Sequence, residues 1–442
     1  MRKYALLLIG LILIPACMLF PGVGPTADLA PQETGTVALP TVAPIATPTH
    51  QPSTPSLPAT PSGEPAPAFG HLRMFSGGVG WSVGDASEAT SQIFRTRDGG
   101  FSWEYTGPPQ AEAAPNGFQA HAFFLDAQHA WVTYYPSEAP AALGPSSVWH
   151  TSDGGASWIP GFTPPTNPNI PDYAFEALYF SDPQNGWLML AHSPGAGNAP
   201  VSIFHTQDAG VHWEVLVDPF TGNADRLHTC CRAGMLFLDS LNGFVPYGGG
   251  PYTMPMVHVT HDGGRTWESQ ELPPAEPHMF ARAVCGSGSP SALGGLSVAL
   301  VVSCFDPNRP APIPIPYLYT SDDAGVNWQS QPLPDETVQS APLRNYRRDY
   351  SLQFIDAQHA WLFVQDEDWA QGDPPAVWTH IFQTQDGGSN WVKLAQVDWI
   401  GEFSFTDPSD GWVNTRQGNM LALLRTSDGG ALWQPVNPVL LP

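Results

Sequence analysis

Basic residues are scarce in this sequence: 16 Lys and Arg stand against 40 Asp and Glu among 442 residues, a formal net charge of −24. So acidic a surface repels nucleic acid phosphates and anionic lipid headgroups, and neither is expected as a partner. Charged residues of both signs make up only 13% of the chain, yet aromatics reach 11%. With 16 Trp, 22 Phe and 12 Tyr there is ample apolar surface to bury, which excludes disorder throughout. Signatures of familiar chemistry are missing as well. No H-E-x-x-H, C-x-x-C, G-x-S-x-G or phosphate-binding glycine loop occurs, so no metal and no cofactor is implied. What the chain has in excess is 43 Gly and 49 Pro, about a fifth of its residues, which argues against long uninterrupted helices.

The N-terminal region separates into a leader and a tether. Arg2 and Lys3 precede an apolar run from Tyr4 to Ala16, the charged and apolar parts of a secretory signal, too short for a comfortable membrane span. The run ends in Ile14-Pro15-Ala16-Cys17, which resembles a bacterial lipobox and implies lipidation at Cys17, with residues 1–17 as the signal peptide. The alternative is an ordinary secretion signal or an uncleaved anchor in which Cys17 is incidental. Residues 18–68 read as a disordered Pro/Thr-rich linker: Pro25 to Pro67 contains eleven Pro and eight Thr but no aromatic residue. At roughly 3 Å per residue such a stalk reaches on the order of 100 Å.

Residues 69–442 are periodic. Thr-x-Asp-(Gly/Ala)-Gly-x-x-Trp occurs at Thr96 to Trp103, Thr151 to Trp158, Thr206 to Trp213, Thr260 to Trp267, Thr384 to Trp391 and Thr426 to Trp433, with a Ser-led copy at Ser321 to Trp328. A second element, Phe-x-Asp-x-x-x-(Gly/Ala)-(Trp/Phe), runs from Phe124 to Trp131, Phe180 to Trp187, Phe237 to Phe244, Phe354 to Trp361 and Phe405 to Trp412. It is degenerate at Phe75 to Trp81 and absent from the fifth unit. Seven units of about 53 residues, each with short β-rich runs between Gly, Pro, Asp and Asn, predict an all-β, seven-bladed β-propeller of four-stranded antiparallel blades. In each Asp-Gly-Gly core the glycines permit positive φ and the carboxylate accepts turn amides, making a rigid hairpin. The Trp then fills the space between blades, with its indole N–H on a carbonyl.

The first pattern is identified as the Asp-box, or BNR repeat, and the chain resembles bacterial seven-bladed BNR propellers. It is most similar to the photosystem II assembly and stability factor family, whose units also pair the two elements. That resemblance spans the folded region and implies an assembly or stability factor for a membrane protein complex; with the lipobox-like leader and the missing catalytic signatures, the expectation is a non-enzymatic monomer that binds membrane or surface proteins outside the cytoplasm, tethered through its N-terminal lipid. The competing expectation is a cell-surface glycan binder or a sialidase-like glycoside hydrolase; the N-terminal Phe/Tyr-Arg-Ile-Pro signature that the sialidase resemblance would imply is absent.

Few residues stand out as sites. Asp98, Asp153, Asp208, Asp262, Asp323, Asp386 and Asp428, with Trp103, Trp158, Trp213, Trp267, Trp328, Trp391 and Trp433, recur once per unit and are expected to be structural, since equivalent turns around a ring do not converge on one substrate. His129 and His359 share one repeat slot and are given a turn role. Beyond Cys17 there are four Cys; among the three pairings, Cys285 with Cys304 is favoured, and Cys230-Cys231 form a vicinal bridge or two free thiols. Against the acidic background, Arg344, Arg347 and Arg348 in PLRNYRRDYS are placed near the channel mouth, suited to carboxylates of a peptide or acidic glycan; pairing with Asp349 and neighbouring acids is the alternative. Trp369, outside the repeat slots, is a second candidate contact, with burial against a neighbouring blade as its alternative.

Overall fold

A computed structural model describes residues 69–84, 92–109, 118–136, 147–164, 173–192, 200–219, 227, 232–248, 254–275, 283–305, 314–334, 346–417 and 420–441. Cys17, the leader, the 18–68 linker, Cys230, Cys231 and Arg344 lie outside them. The described residues form seven antiparallel sheets in a ring, without an α-helix; accordingly no helix among them is long and apolar enough to cross a membrane.

Each sheet is a blade of four strands in sequence order. Blade 1, for instance, runs Phe69–Met74, Gly80–Gly84, Gln92–Thr96 and Ser102–Tyr105. Blades 1 and 5 have a fifth strand. On blade 1 it is Val439–Leu440, which runs parallel to Ser102–Tyr105 on its outer edge, where Val439 N donates to Phe101 O (2.9 Å) and Leu441 N to Trp103 O (2.7 Å). On blade 5, Val284–Ser287 pairs with Ser297–Phe305, and the short strand Ser291–Gly294 pairs with the same partner. A disulfide joins Cys285 to Cys304, directly opposite each other in that pairing.

The core is distributed between blades. Each of seven apolar clusters lies at a junction: Trp81, Val83 and Ile93 of blade 1 meet Phe124, Val132 and Tyr134 of blade 2, and the last cluster brings Trp412 and Leu423 of blade 7 against Phe69, Leu72 and Met74 of blade 1. Neighbouring blades also approach through their first strands, which therefore form the inner wall.

The two sequence elements form the turns at one end of every blade that carries both. The Phe-x-Asp element joins first and second strands, and the Thr-x-Asp element joins third and fourth. At Gly99 and Gly100 φ is 79° and 93°, conformations open to glycine; Ala209 and Ala324 hold the first of these positions in blades 3 and 5 at φ 62° and 57°. Thr96 Oγ1 donates to Asp98 Oδ1 (2.9 Å) and accepts from Gly100 N (3.0 Å), while Ser102 N donates to Asp98 Oδ1 (2.9 Å). The same network recurs at Asp153, Asp208, Asp262, Asp323, Asp386 and Asp428. His129 and His359 donate backbone N–H groups to Asp126 and Asp356 and set their rings against the same carboxylates.

The tryptophans divide by role. Trp103, Trp213, Trp267 and Trp433 donate to the second glycine carbonyl of their own turn at 3.0–3.1 Å. Trp158 instead donates to Thr106 O in blade 1, Trp328 lies 3.4 Å from the Gln270 side-chain oxygen, and Trp391 Nε1 is buried with no hydrogen-bond partner among the described residues, so the uniform carbonyl partner expected from the repeat holds in only part of the ring. The Trp closing the other element works between blades. Trp131, Trp187, Trp361 and Trp412 donate at 2.8 Å to turn carbonyls of Ala209, Gly263, Gly429 and Gly99, each in the following blade. Their rings also stack on that blade's first-strand Phe where one is present, with centroids 3.6 Å apart for Trp187 and Phe237. The Gly before the Trp leaves room for its own blade's Phe: a Cβ on Gly186 would come within 2.2 Å of the Phe180 ring. In blade 1 the register corrects the sequence alignment by one residue. Met74, not Phe75, pairs with Gly80 and fills the Phe slot.

The turn carboxylates fix how stability should respond to acid. Hydroxyl and amide of Ser157, then the Thr151 hydroxyl and Ala156 amide, hold the Asp153 carboxyl down at about 2. At Asp98, Asp208 and Asp262 partial burial opposes ionisation, but the turn's donors outweigh it and lower the carboxyl. The unfolded chain takes up these protons near pH 4, whereas the folded turns resist them, so this stabilisation is complete above about pH 5 and is lost as pH falls through about 4 to 2. Burial holds His121 and His258 at about 4, so urea midpoints should begin to fall as pH drops below about 6.5, and the carboxylate turns should add a steeper drop below 4. Asp153→Asn should flatten part of that drop, and an unchanged profile in the variant would contradict the assignment.

Candidate binding sites on the blade 6 rim and the inner wall

The ends of the blades opposite these turns are built from second-to-third strand connections and blade-to-blade links. Among the described residues the second strand of blade 6 reaches furthest there, one aligned residue beyond that of blade 5. The first three strands of blade 6, Tyr346–Phe354, Ala360–Asp368 and Ala376–Thr384, are nine residues each and stay paired throughout, whereas the second strands of blades 2, 3 and 7 have seven. Aligned on the residue before the Trp, the second strand of blade 6 projects two residues further, about 7 Å.

Strand alternation separates the arginines on this projection. Arg348 lies opposite Asp366 and turns inward: Nε donates to Oδ1 at 2.6 Å and Nη2 to Oδ2 at 3.2 Å, with side chains only 1% and 0% exposed. His380 Nε2 is 3.7 Å from the same carboxylate. Arg347 points outward and pairs with Asp349 at 2.8 Å. The arginines at 347 and 348 thus do not form one surface patch; Arg348 is taken inside by Asp366, because successive residues of a strand face opposite sides. Burial, with the charges of Glu367 and Asp366, raises the Asp349 carboxyl despite Arg347.

Trp369 caps the projection. It opens a short 3-10 turn, Trp369–Gln371, in which Asp368 accepts from Ala370 N (2.9 Å) and from Gln371 Nε2 (2.7 Å). Glu367 Oε2 accepts the Trp369 indole N–H (3.2 Å), while Glu367 Oε1 accepts from Arg416 of blade 7 (2.9 Å). The ring remains 45% exposed on a fixed frame instead of packing into a neighbouring blade.

A second group, which carries no sequence motif, sits on the inner wall. Arg73 occupies the first-strand slot just before Met74, where blades 2 and 3 carry Phe123 and Tyr179, whose rings are 4.9 Å apart. Beside it His71 sits in a β-bulge of the same strand, between Gly70 and Leu72, at φ 20°. His71 Nδ1 is 3.1 Å from Glu402 Oε1, its ring stacks on Phe124, and Glu402 Oε2 accepts Leu72 N. His121 stacks on Phe175 at 3.9 Å; burial and the nearby His71 push it down to about 4. Only alignment in the correct register would have exposed an Arg in a slot otherwise held by Phe, Tyr, Leu, Gln or Ser.

No protein-family model and no curated protein matches the chain. Among solved structures it is similar to YCF48 from Cyanidioschyzon merolae, at 14% identity over 85% of this chain and 98% of that one, with a TM-score of 0.44. It is also similar to the GH74 xyloglucanase from Xanthomonas campestris, at 14% identity over 85% of this chain, with a TM-score of 0.50. An ulvan lyase of family PL25 aligns at 12% identity over 84% of this chain and 96% of its own, with a TM-score of 0.42. The chain spans about half the length of the xyloglucanase. At such identities the likeness is one of fold, shared by proteins with different activities.

Proposed function

We propose that this chain is an exported binding scaffold. Its seven Thr/Ser-x-Asp turns are BNR repeats; lipid on Cys17 and the 18–68 stalk hold the propeller at the outer face of a membrane, and the blade 6 rim binds a membrane or surface protein without turnover. The resemblance of the paired repeat elements to assembly and stability factors supports the class of function. The single observation that supports a protein-binding rim is Trp369: a large aromatic, nearly half exposed, on a projecting hairpin whose capped turn already fixes it. Preorganised aromatics of this kind, ringed by charged groups such as Arg347 and Glu367, carry a disproportionate share of interface energy. The chemistry around the ring favours the same use, since Arg348, Asp366 and Glu367 are committed to ion pairs within the protein.

Quantitative capture from native membranes with the full chain and with Trp369→Ala tests this. Loss of an anchor worth about 2 kcal/mol should cut recovery of the specific partner roughly 30-fold, while thermal unfolding stays where it was because the ring is already exposed. Equal recovery by both proteins would remove the rim from the proposal, and turnover of a glycan by the intact chain would replace binding with catalysis.

A further inference from the structure

Arg73 is both wet and enclosed. Solvent reaches its side chain, yet protein surrounds it closely enough that burial lowers its pKa from the ordinary guanidinium value, with Tyr179 and Glu402 opposing that shift. Arg73 lies on the first, innermost strand of blade 1 between Leu72 and Met74, which turn into the junction with blade 7, so its own side chain turns the other way, to solvent in the lumen of the ring. Its ring contact is with Phe75, 5.8 Å from the guanidinium carbon. No carboxylate among the described residues lies within ion-pair distance; Glu402, the nearest acid by charge, is engaged by His71 and by Leu72 N. An arginine presents five N–H donors in a planar fork, and with solvent at the side chain and no described carboxylate paired to it the fork is open to the oxygens of a ligand.

From this juxtaposition of Arg73, Tyr179 and His71 on the inner wall, we infer that the central channel is a binding site for a single carboxylate group. The guanidinium fork takes the two carboxylate oxygens in parallel. The Tyr179 hydroxyl, which reaches the Phe237 backbone beside it and is pushed up to about 12 chiefly by burial, stays protonated and offers a further donor. Half-buried Phe123 and Phe175 make the flanks apolar. A singly charged planar ion suits the site better than sulfate or phosphate, because Glu402 and the −24 net charge of the chain oppose each additional negative charge.

The carboxylate can belong to a sugar acid or to a peptide-like chain end, and the probes distinguish them. The full chain is titrated by calorimetry with acetate, glucuronate and N-acetylglycine, against chloride and sulfate at matched ionic strength. Saturable binding of at least one carboxylate, at least tenfold tighter than sulfate, is expected. Glucuronate alone among the two larger probes would assign a sugar acid, N-acetylglycine alone a chain end, and both results uphold the site. Arg73→Gln should weaken binding at least tenfold; Arg73→Lys, which keeps the charge but loses the fork, should fall between. Tyr179→Phe, which keeps the ring, serves as a second variant should the Arg73 substitutions fail to fold, and is expected to weaken binding severalfold. Absence of saturation with every carboxylate, sulfate binding as tightly, or unchanged affinity in the folded variants would each overturn the inference.

Discussion

Asp366→Ala is expected to lower the unfolding free energy by about 3–5 kcal/mol, the usual cost of leaving one half of a buried ion pair behind. Asp366 is fully buried and Arg348 nearly so, and they face each other directly across the first two strands of blade 6. The variant takes from the buried Arg348 guanidinium the carboxylate that its Nε and Nη2 both bind. Replacing both, as Arg348→Met with Asp366→Leu, should recover much of the loss, since an apolar pair of similar volume carries no desolvation penalty. His380, 3.7 Å from Asp366, limits how complete that recovery can be. Urea unfolding of the three proteins decides the matter. A single-variant loss below about 1 kcal/mol would mean that the pair is solvated and behaves as a surface bridge.

The second large effect is expected at Trp187, which is completely buried, stacks on Phe237 and donates to Gly263 O at 2.8 Å. Trp187→Ala opens a cavity between blades 3 and 4 and should cost about 3–5 kcal/mol. Trp187→Phe keeps much of the stack but leaves the Gly263 carbonyl without its donor, a loss of about 1–3 kcal/mol. Blade 4 provides an internal comparison, because Phe244 holds the same slot and the Gly325 turn of blade 5 packs directly against its ring. That slot is filled without an indole, and Phe244 meets Trp328 of blade 5 edge-on, with ring centroids 6.1 Å apart. If Trp187→Phe proved as damaging as Trp187→Ala, the hydrogen bond rather than the packing would dominate the junction.

The ring was legible in the sequence because its turns use residues that few other structures demand at that spacing. Thr96, Asp98 and Gly100 are read together since hydroxyl, carboxylate and positive φ are all required to close one hairpin. Blade 5 was less legible: no Phe-x-Asp element marks its first strand, and the added strand Ser291–Gly294 follows from pairing with a distant segment rather than from local chemistry. The candidate sites depended on register, which composition does not reveal. Arg347 and Arg348 look equivalent in PLRNYRRDYS, yet one residue of offset puts one in water and the other on Asp366. Arg73 was hidden for the same reason, since the degenerate element in blade 1 aligns one residue away from its structural equivalent.

The pairing of Val439–Leu440 with the outer strand of blade 1 also orders events in time. The contacts that finish blade 1 join residues more than 300 positions apart: Trp412 to Gly99, Leu441 to Trp103 and Ser404 to Met74. While a chain emerges from its N-terminal side, blade 1 is the first to be made and the last to be completed. Throughout that interval its outer strand presents unpaired backbone to any other strand nearby, so the period of synthesis is when this propeller is most open to pairing with the wrong chain.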